Sequence, residues 1–164
     1  MTGVQTCALP ISVTPGYSTT AATFEPDEIT IGYATDFAGL SSPTTLTCKN
    51  FNLNIEKNVT IDWALGSTEV DEITNGRLGV TGDFTVTYDA TTMKDVILAG
   101  TQKAIIITLN NGTWKWEIKL PTVELKDWNR DTDINGQVTQ TFGFTANYSD
   151  TTNGLIQAVV TDLS

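Results

Sequence analysis

The sequence predicts an all-β fold: an antiparallel β sandwich or barrel with one short helix at about 89–99 and a long inter-strand loop at 65–82. Three observations predict it. Apolar and polar residues alternate through several stretches, as in strands with one buried and one wet face. Those stretches are punctuated by Gly, Asn and Pro, and a single run carries helical spacing. With 164 residues, 40 % of them apolar, the chain is long enough for one domain with a real core.

Taken in order, the opening MTGVQTCALPIS shows neither period, and CALPI is its one apolar piece. It resembles the conceptual translation of a sequencing adapter, which implies that residues 1–12 are not native and that a genuine N-terminal part is missing. An ordinary disordered tail is the other reading. Residues 13–48 read as a poorly ordered or partial N-terminal region; as far as Asp36 it is Thr-, Pro- and Gly-rich, which suggests a loosely ordered arm or a short edge strand around Ile29–Tyr33. The main domain is expected over 49–164. Within it Phe51, Leu53 and Ile55 alternate with Asn52, Asn54 and Glu56, and Val59, Ile61 and Trp63 alternate with Thr60 and Asp62, so one face of each is expected in the core.

The stretch that follows, LGSTEVDEITNGRLGVTGDFTV (Leu65–Val86), is acidic and glycine-punctuated. A hairpin needs about two to five residues to turn back, so this segment is too long to be only a turn. Regular apolar content in an over-long connection points to a segment with a partner to lie on.

Beyond it Phe84, Val86 and Tyr88 alternate with Thr85 and Thr87. A helix then fits: Asp89 or Thr91 can cap it, Met93, Val96 and Ile97 share a face, and Gly100 closes it. Ala104–Leu109 is a near-continuous apolar run, and Asn110, Asn111 and Gly112 predict a tight hairpin. The return strand holds Trp114, Trp116, Ile118 and Leu120 on a face expected in the core, and Pro121 is expected to end it. Val138–Tyr148, with Phe142, Phe144, Ala146 and Tyr148 in phase, and Leu155–Val160 complete the set.

The chemistry narrows function. A net charge of −10 repels nucleic-acid phosphates and anionic lipid head groups, which disfavours a DNA-binding module and a membrane partner. Cys7 and Cys48 lie far apart in unlike contexts and read as free thiols. The chain contains no histidine, so Ser-His-Asp and Cys-His catalysis are excluded and zinc hydrolase sites lack their usual ligand; no enzyme is expected. Glu69, Asp71 and Glu72, or Glu117 and Glu124, supply carboxylates, but nothing singles out a catalytic pair. DTDING (Asp131–Gly136) matches the first half of a calcium loop, yet the position of the closing acid holds Phe142. The N-x-[ST] sequons at Asn58, Asn111 and Asn147 are weak signals in a threonine-rich chain. No cofactor or metal is expected.

Four segments in this order, FNLNIEKNV, LGSTEVDEITNGRLGVTGDFTV, WKWEIKLPTVEL and QVTQTFGFTANYSD, resemble the tail tube protein, or major tail protein, of long-tailed bacteriophages over about Lys49–Ser164. The resemblance implies a structural virion protein of the tail, assembled in the host cytoplasm. Its partners would be further copies of itself, in hexameric rings stacked into a tube, together with tape measure and tail terminator proteins. DNA would pass through without specific binding.

In such proteins the long segment is an arm lying on a neighbouring subunit. That implies bends at Gly66, Gly76 and Gly82, apolar anchors at Leu65, Val70, Ile73 and Leu78, and acidic positions at Glu69, Asp71 and Glu72. Thr85, Thr87 and Glu117 are candidates to face the lumen. The rival reading is a secreted or surface β sandwich that binds carbohydrate or acts as an adhesin, supported by four tryptophans, the threonine content and DTDING.

Overall fold

The computed structural model describes residues 23–163 except 64, 67, 69, 89–91 and 133–135, and only the backbone of 70, 71 and 92. The expected adapter-like residues 1–12, the Asp89 and Thr91 caps and the centre of DTDING lie outside the described residues. The strands are β1 (Ile29–Ala34), β2 (Thr44–Leu46), β3 (Cys48–Glu56), β4 (Val59–Trp63), β5 (Val70–Asn75), β6 (Gly79–Thr87), β7 (Lys103–Asn110), β8 (Trp114–Asp131), β9 (Thr139–Ala146) and β10 (Gln157–Asp162), with one helix, α1 (Thr92–Leu98), between β6 and β7.

Every strand pairing is antiparallel, as the alternating pattern requires. The main sheet runs β2-β1-β7-β8-β9-β6-β3 and does not close, while β10 joins β8 and β4 pairs only with β5. The key to the layers is β8. Its first part, through Lys119, lies between β7 and β10; from Val123 it pairs with β9. One layer is therefore β2-β1-β7-β8-β10, the other is β8-β9-β6-β3, and β8 belongs to both.

Pro121 does not end the strand, contrary to the sequence reading. It falls between the last residue bonded to β10 (Lys119) and the first bonded to β9 (Val123), where the register with β7 also shifts. A residue without an N–H costs no ladder bond at such a place.

The apolar phase of each strand points between the layers. Ile31, Ile105, Ile107 and Leu120 face Val80, Phe84, Phe142 and Phe144. Phe84 and Phe142 stack with ring centroids 5.4 Å apart, and Phe51 stacks on Phe144 at 5.9 Å; each fully buried ring of this kind contributes about 1.5–3 kcal/mol. Helix α1 adds Met93 and Val96 to this core, which is the face its spacing predicts.

The core holds one buried polar side chain among the described residues, Gln140, and it is satisfied: its Oε1 accepts from Trp128 Nε1 at 2.8 Å. Lys94 of α1 lies over the Trp128 ring at 5.1 Å. A smaller cluster of Leu40, Ala104 and Ile106 covers part of the first layer's outer face, which explains why Ala104–Leu109 reads as apolar on both sides. Strand β1 matches the expected Ile29–Tyr33 strand but is not an edge, because β2 pairs outside it.

Candidate assembly surfaces

The segment 65–82 is more regular than a connection. Leu65 and Gly66 turn the chain, and Val70–Asn75 returns as β5 against β4, with Ile61 opposite Ile73 and Thr60 opposite Thr74. Two-residue periodicity in both strands puts Val59, Ile61 and Ile73 on one face of this ribbon and Thr60, Asp62, Glu72 and Thr74 on the other.

The neck of the hairpin is pinned. Gly76 N donates to Asn58 O at 2.8 Å, and Asn58 Nδ2 donates to the Arg77 carbonyl at 2.9 Å. A side chain at Gly76 would collide with the Asn58 carbonyl, so only glycine admits so close a crossing.

This hairpin overturns one sequence expectation. The alternation of Val59, Ile61 and Trp63 implies a core face, but Ile61 is 51 %, Trp63 59 % and Ile73 60 % exposed. Leu65 is fully exposed. A two-stranded ribbon alone has no second layer to cover its apolar side. Sequence reasoning placed the segment's exposed apolar positions at and after Leu65 and missed those on β4; their alternation was the signal, read as a core.

The remaining arm positions separate. Leu78 is partly exposed just before β6. Gly82 lies inside β6, opposite Leu53 and Phe144, where a Cβ would strike the Phe144 ring and the Asn52 carbonyl. Its place is the core sheet, not a bend of the arm. Glu69 is outside the described residues, as are the side chains of Val70 and Asp71.

The proposed lumen residues do not come together. Thr85 and Thr87 point away from the core on the outer face of the second layer, opposite in phase to Phe84 and Val86. Lateral neighbours on that face are Thr139, Thr141 and Thr145 of β9, Asp83 of β6 and Asn50 and Asn52 of β3. Thr85 and Thr141 share a hydroxyl hydrogen bond of 2.9 Å, and Asn52 Nδ2 donates to Asp83 Oδ1 at 3.3 Å.

Glu117 is on the outer face of the other layer, between Lys115 (2.7 Å) and Lys119 (3.2 Å). Hydrogen bonding to Lys115 holds its carboxyl below the usual carboxylate range, against an opposing push from burial. Trp114 and Trp116 have the core phase but stand beyond the end of the second layer, about 40 % exposed rather than buried.

Among the described residues no group of His, Cys, Asp and Glu is placed to hold a metal. Burial pushes the Cys48 thiol up to about 11, which makes it a poor nucleophile. No helix of the described residues is long and apolar enough to cross a membrane.

No known sequence family matches the chain, and no curated protein does. Solved structures do match. A chain of the SPP1 tail tube superposes with a TM-score of 0.63 at 10 % identity, covering 85 % of this chain and 80 % of that one. The chain has the tail-tube fold. A chain from the tail of a gene transfer agent particle gives 0.63 at 9 % identity, covering 84 % and 99 %. Another from the sheath–tube complex of an extracellular contractile injection system gives 0.61 at 11 %, covering 90 % and 99 %. At such identities the likeness is one of fold, and it extends across phage-like and injection-system tubes alike.

Proposed function

We propose that this protein is a structural virion subunit that assembles with itself into hexameric rings stacked as a tail tube, through which DNA leaves the particle. The observation that carries this reading is a tail-tube fold whose one projecting hairpin bears an uncovered apolar face. A monomer gains nothing by keeping Ile61, Trp63 and Ile73 in water, whereas burying them against a second copy is favourable by about 25 cal/mol per Å².

Lateral contacts have a separate source. Among the described residues the outer edge of β3 is unpaired, and β8 beyond Val123 pairs with no strand on its β7 side. Those are the two edges of the layer whose outer face is polar. Joining them between neighbours extends the sheet around a ring, turning the usual hazard of open edges into the means of assembly.

In that ring Thr85 and Thr87, with the threonines of β9 and with Asp83, line the lumen. Their hydroxyls and acids offer phosphates no ion pairs, so DNA slides rather than binds. Glu117 and its two lysines then belong to the outside. Tape measure and tail terminator proteins are the further partners in this reading, and the virion tail is its location.

Negative-stain microscopy of the purified full chain tests it. Rings or tubes of six-fold symmetry are expected. A chain that stays monomeric at high concentration, and whose particles assemble unchanged without residues 59–75, would remove the reading. The carbohydrate-binding alternative predicts glycan-array signal through Trp114 and Trp116; their sharing of one strand face with Ile118 and Leu120 favours a protein contact instead.

A further inference from the structure

The two edges that meet in the tube reading are the outer side of β3 and the side of β8 that, beyond Val123, has no partner strand among the described residues. Across the second layer paired residues line up in rows. Asn54, Thr81, Thr145 and Glu124 make one row of the polar face, and Asn52, Asp83, Gly143 and Lys126 make the next. Glu56 ends β3 in the same phase. A second copy's β3 laid on β8 can slide only in steps of two residues, because a one-residue slip turns Leu53 and Ile55 toward the polar face. Few registers are left.

We infer that each copy joins the next with Glu56 opposite Lys126. The inference rests on the tube reading and specifies the residues that pair at its lateral contact. Ile55 then meets Trp128, Asn54 meets Asn129 and Asn52 meets Asp131, while Asp127, at φ 49°, bulges out as it does against β9.

Charge selects this register. Glu56 accepts from Asn54 Nδ2 at 2.7 Å but has no ion pair among the described residues, and Lys126 reaches only Glu124 of its own strand, at 3.8 Å. Set opposite each other, the two form a cross-strand pair of unlike sign, which is favourable. One step back along β8, Glu56 would face Glu124 in a repulsive pair; one step on, it would face Asn129 and the ion pair is lost. Apolar burial agrees. Ile55 is 50 % and Trp128 39 % exposed, both in the core phase at opposite edges of the layer, and of these registers only this one sets them side by side.

Barrel geometry supplies an independent check. Within one copy Glu56 lies two rows, or four residues, from Lys126, and the layer is four strands wide. Each step around the ring therefore climbs about 13 Å along the strand for about 19 Å across it, a strand tilt of about 35°. Closed barrels tilt their strands by about that much, whereas the Glu124 register gives only about 19°. The pairing also neutralises Lys126, a cation on the face assigned to the lumen, before a phosphate can bind it.

Disulfide trapping between singly substituted chains reads the register. In a Cys7→Ser, Cys48→Ala background, Asn129→Cys protein is mixed with Asn54→Cys or with Asn52→Cys, assembled and oxidised. A covalent pair is expected with Asn54→Cys and not with Asn52→Cys, which the Glu124 register would bring opposite instead. Rings or tubes linked through position 52, or through neither, overturn the register and leave the tube reading intact. If the unsubstituted chain forms no rings or tubes, both fall.

Charge exchange gives a second readout that needs no cysteine. Glu56→Lys or Lys126→Glu alone should raise the critical concentration for assembly roughly 5-fold, and the double exchange should bring it back near the starting value. A double variant as poor as the worse single one overturns the pairing.

Discussion

Strands β9 and β4 are written in the same alternating code and meet opposite fates. In β9 the apolar phase ends sealed, with Phe142 at 0 % exposure, because β6 and β8 flank it and a second layer covers it. In β4 the equivalent residue, Ile61, is half in water because, among the described residues, β4 has one partner strand and no layer above it. Alternation reports that a face must be covered; it does not say whether the cover belongs to the same molecule.

Four measurements can break or sharpen that contrast, each read first as monomer stability in denaturant. Phe142→Ala removes a ring stacked on Phe84 in a space that cannot collapse, and should cost about 3–5 kcal/mol. A loss below about 1 kcal/mol would mean that the sandwich core is not as closed as described. Gly82→Val, which forces a side chain into the Phe144 ring and the Asn52 carbonyl, should cost about 1–3 kcal/mol. Were Gly82 a bend in a free arm, the cost would be near zero.

Smaller still is the contribution of Glu117. Its folded-state pKa is lowered, so its stabilisation is present above the ordinary carboxylate value and is lost as pH falls through the lowered folded one. Glu117→Gln should flatten the acid limb of the stability curve by less than about 1 kcal/mol, as for other surface ion pairs. An unchanged acid limb would show the Lys115 contact to be idle in solution.

Least of all, Ile61→Asp should move monomer stability by no more than about 0.5 kcal/mol, since half of the residue is already in water and it lies outside the sandwich core. The same variant should abolish tubes under the microscope. A hairpin substitution that unfolds the monomer, or one that leaves tubes intact, erases the distinction between β4 and β9.

Much of the fold is legible in the sequence for physical reasons that are local. Met93, Val96 and Ile97 mark α1 by spacing, Asn111 and Gly112 mark the β7–β8 turn by their tolerance of tight geometry, and Phe142, Phe144 and Ala146 mark β9 by phase. What was not legible depends on distant pairing. Pro121 looks like a terminator until the exchange of partners along β8 makes its missing N–H irrelevant. Val70–Asn75 looks like a connection until β4 supplies the other half of its ladder. Thr87 and Glu117 look alike as polar positions on strands, and only the assignment of β6 and β8 to layers shows that they face opposite sides of the molecule.

The double membership of β8 has a mechanical corollary. A strand of 18 residues laced to β7 and β10 at one end and to β9 at the other ties the two walls of the sandwich by peptide bonds as well as by apolar contact. Tension that would prise the walls apart, such as a bending load along a thin hollow filament, is carried by covalent backbone, so the subunit is braced like a bracket folded from one sheet of metal.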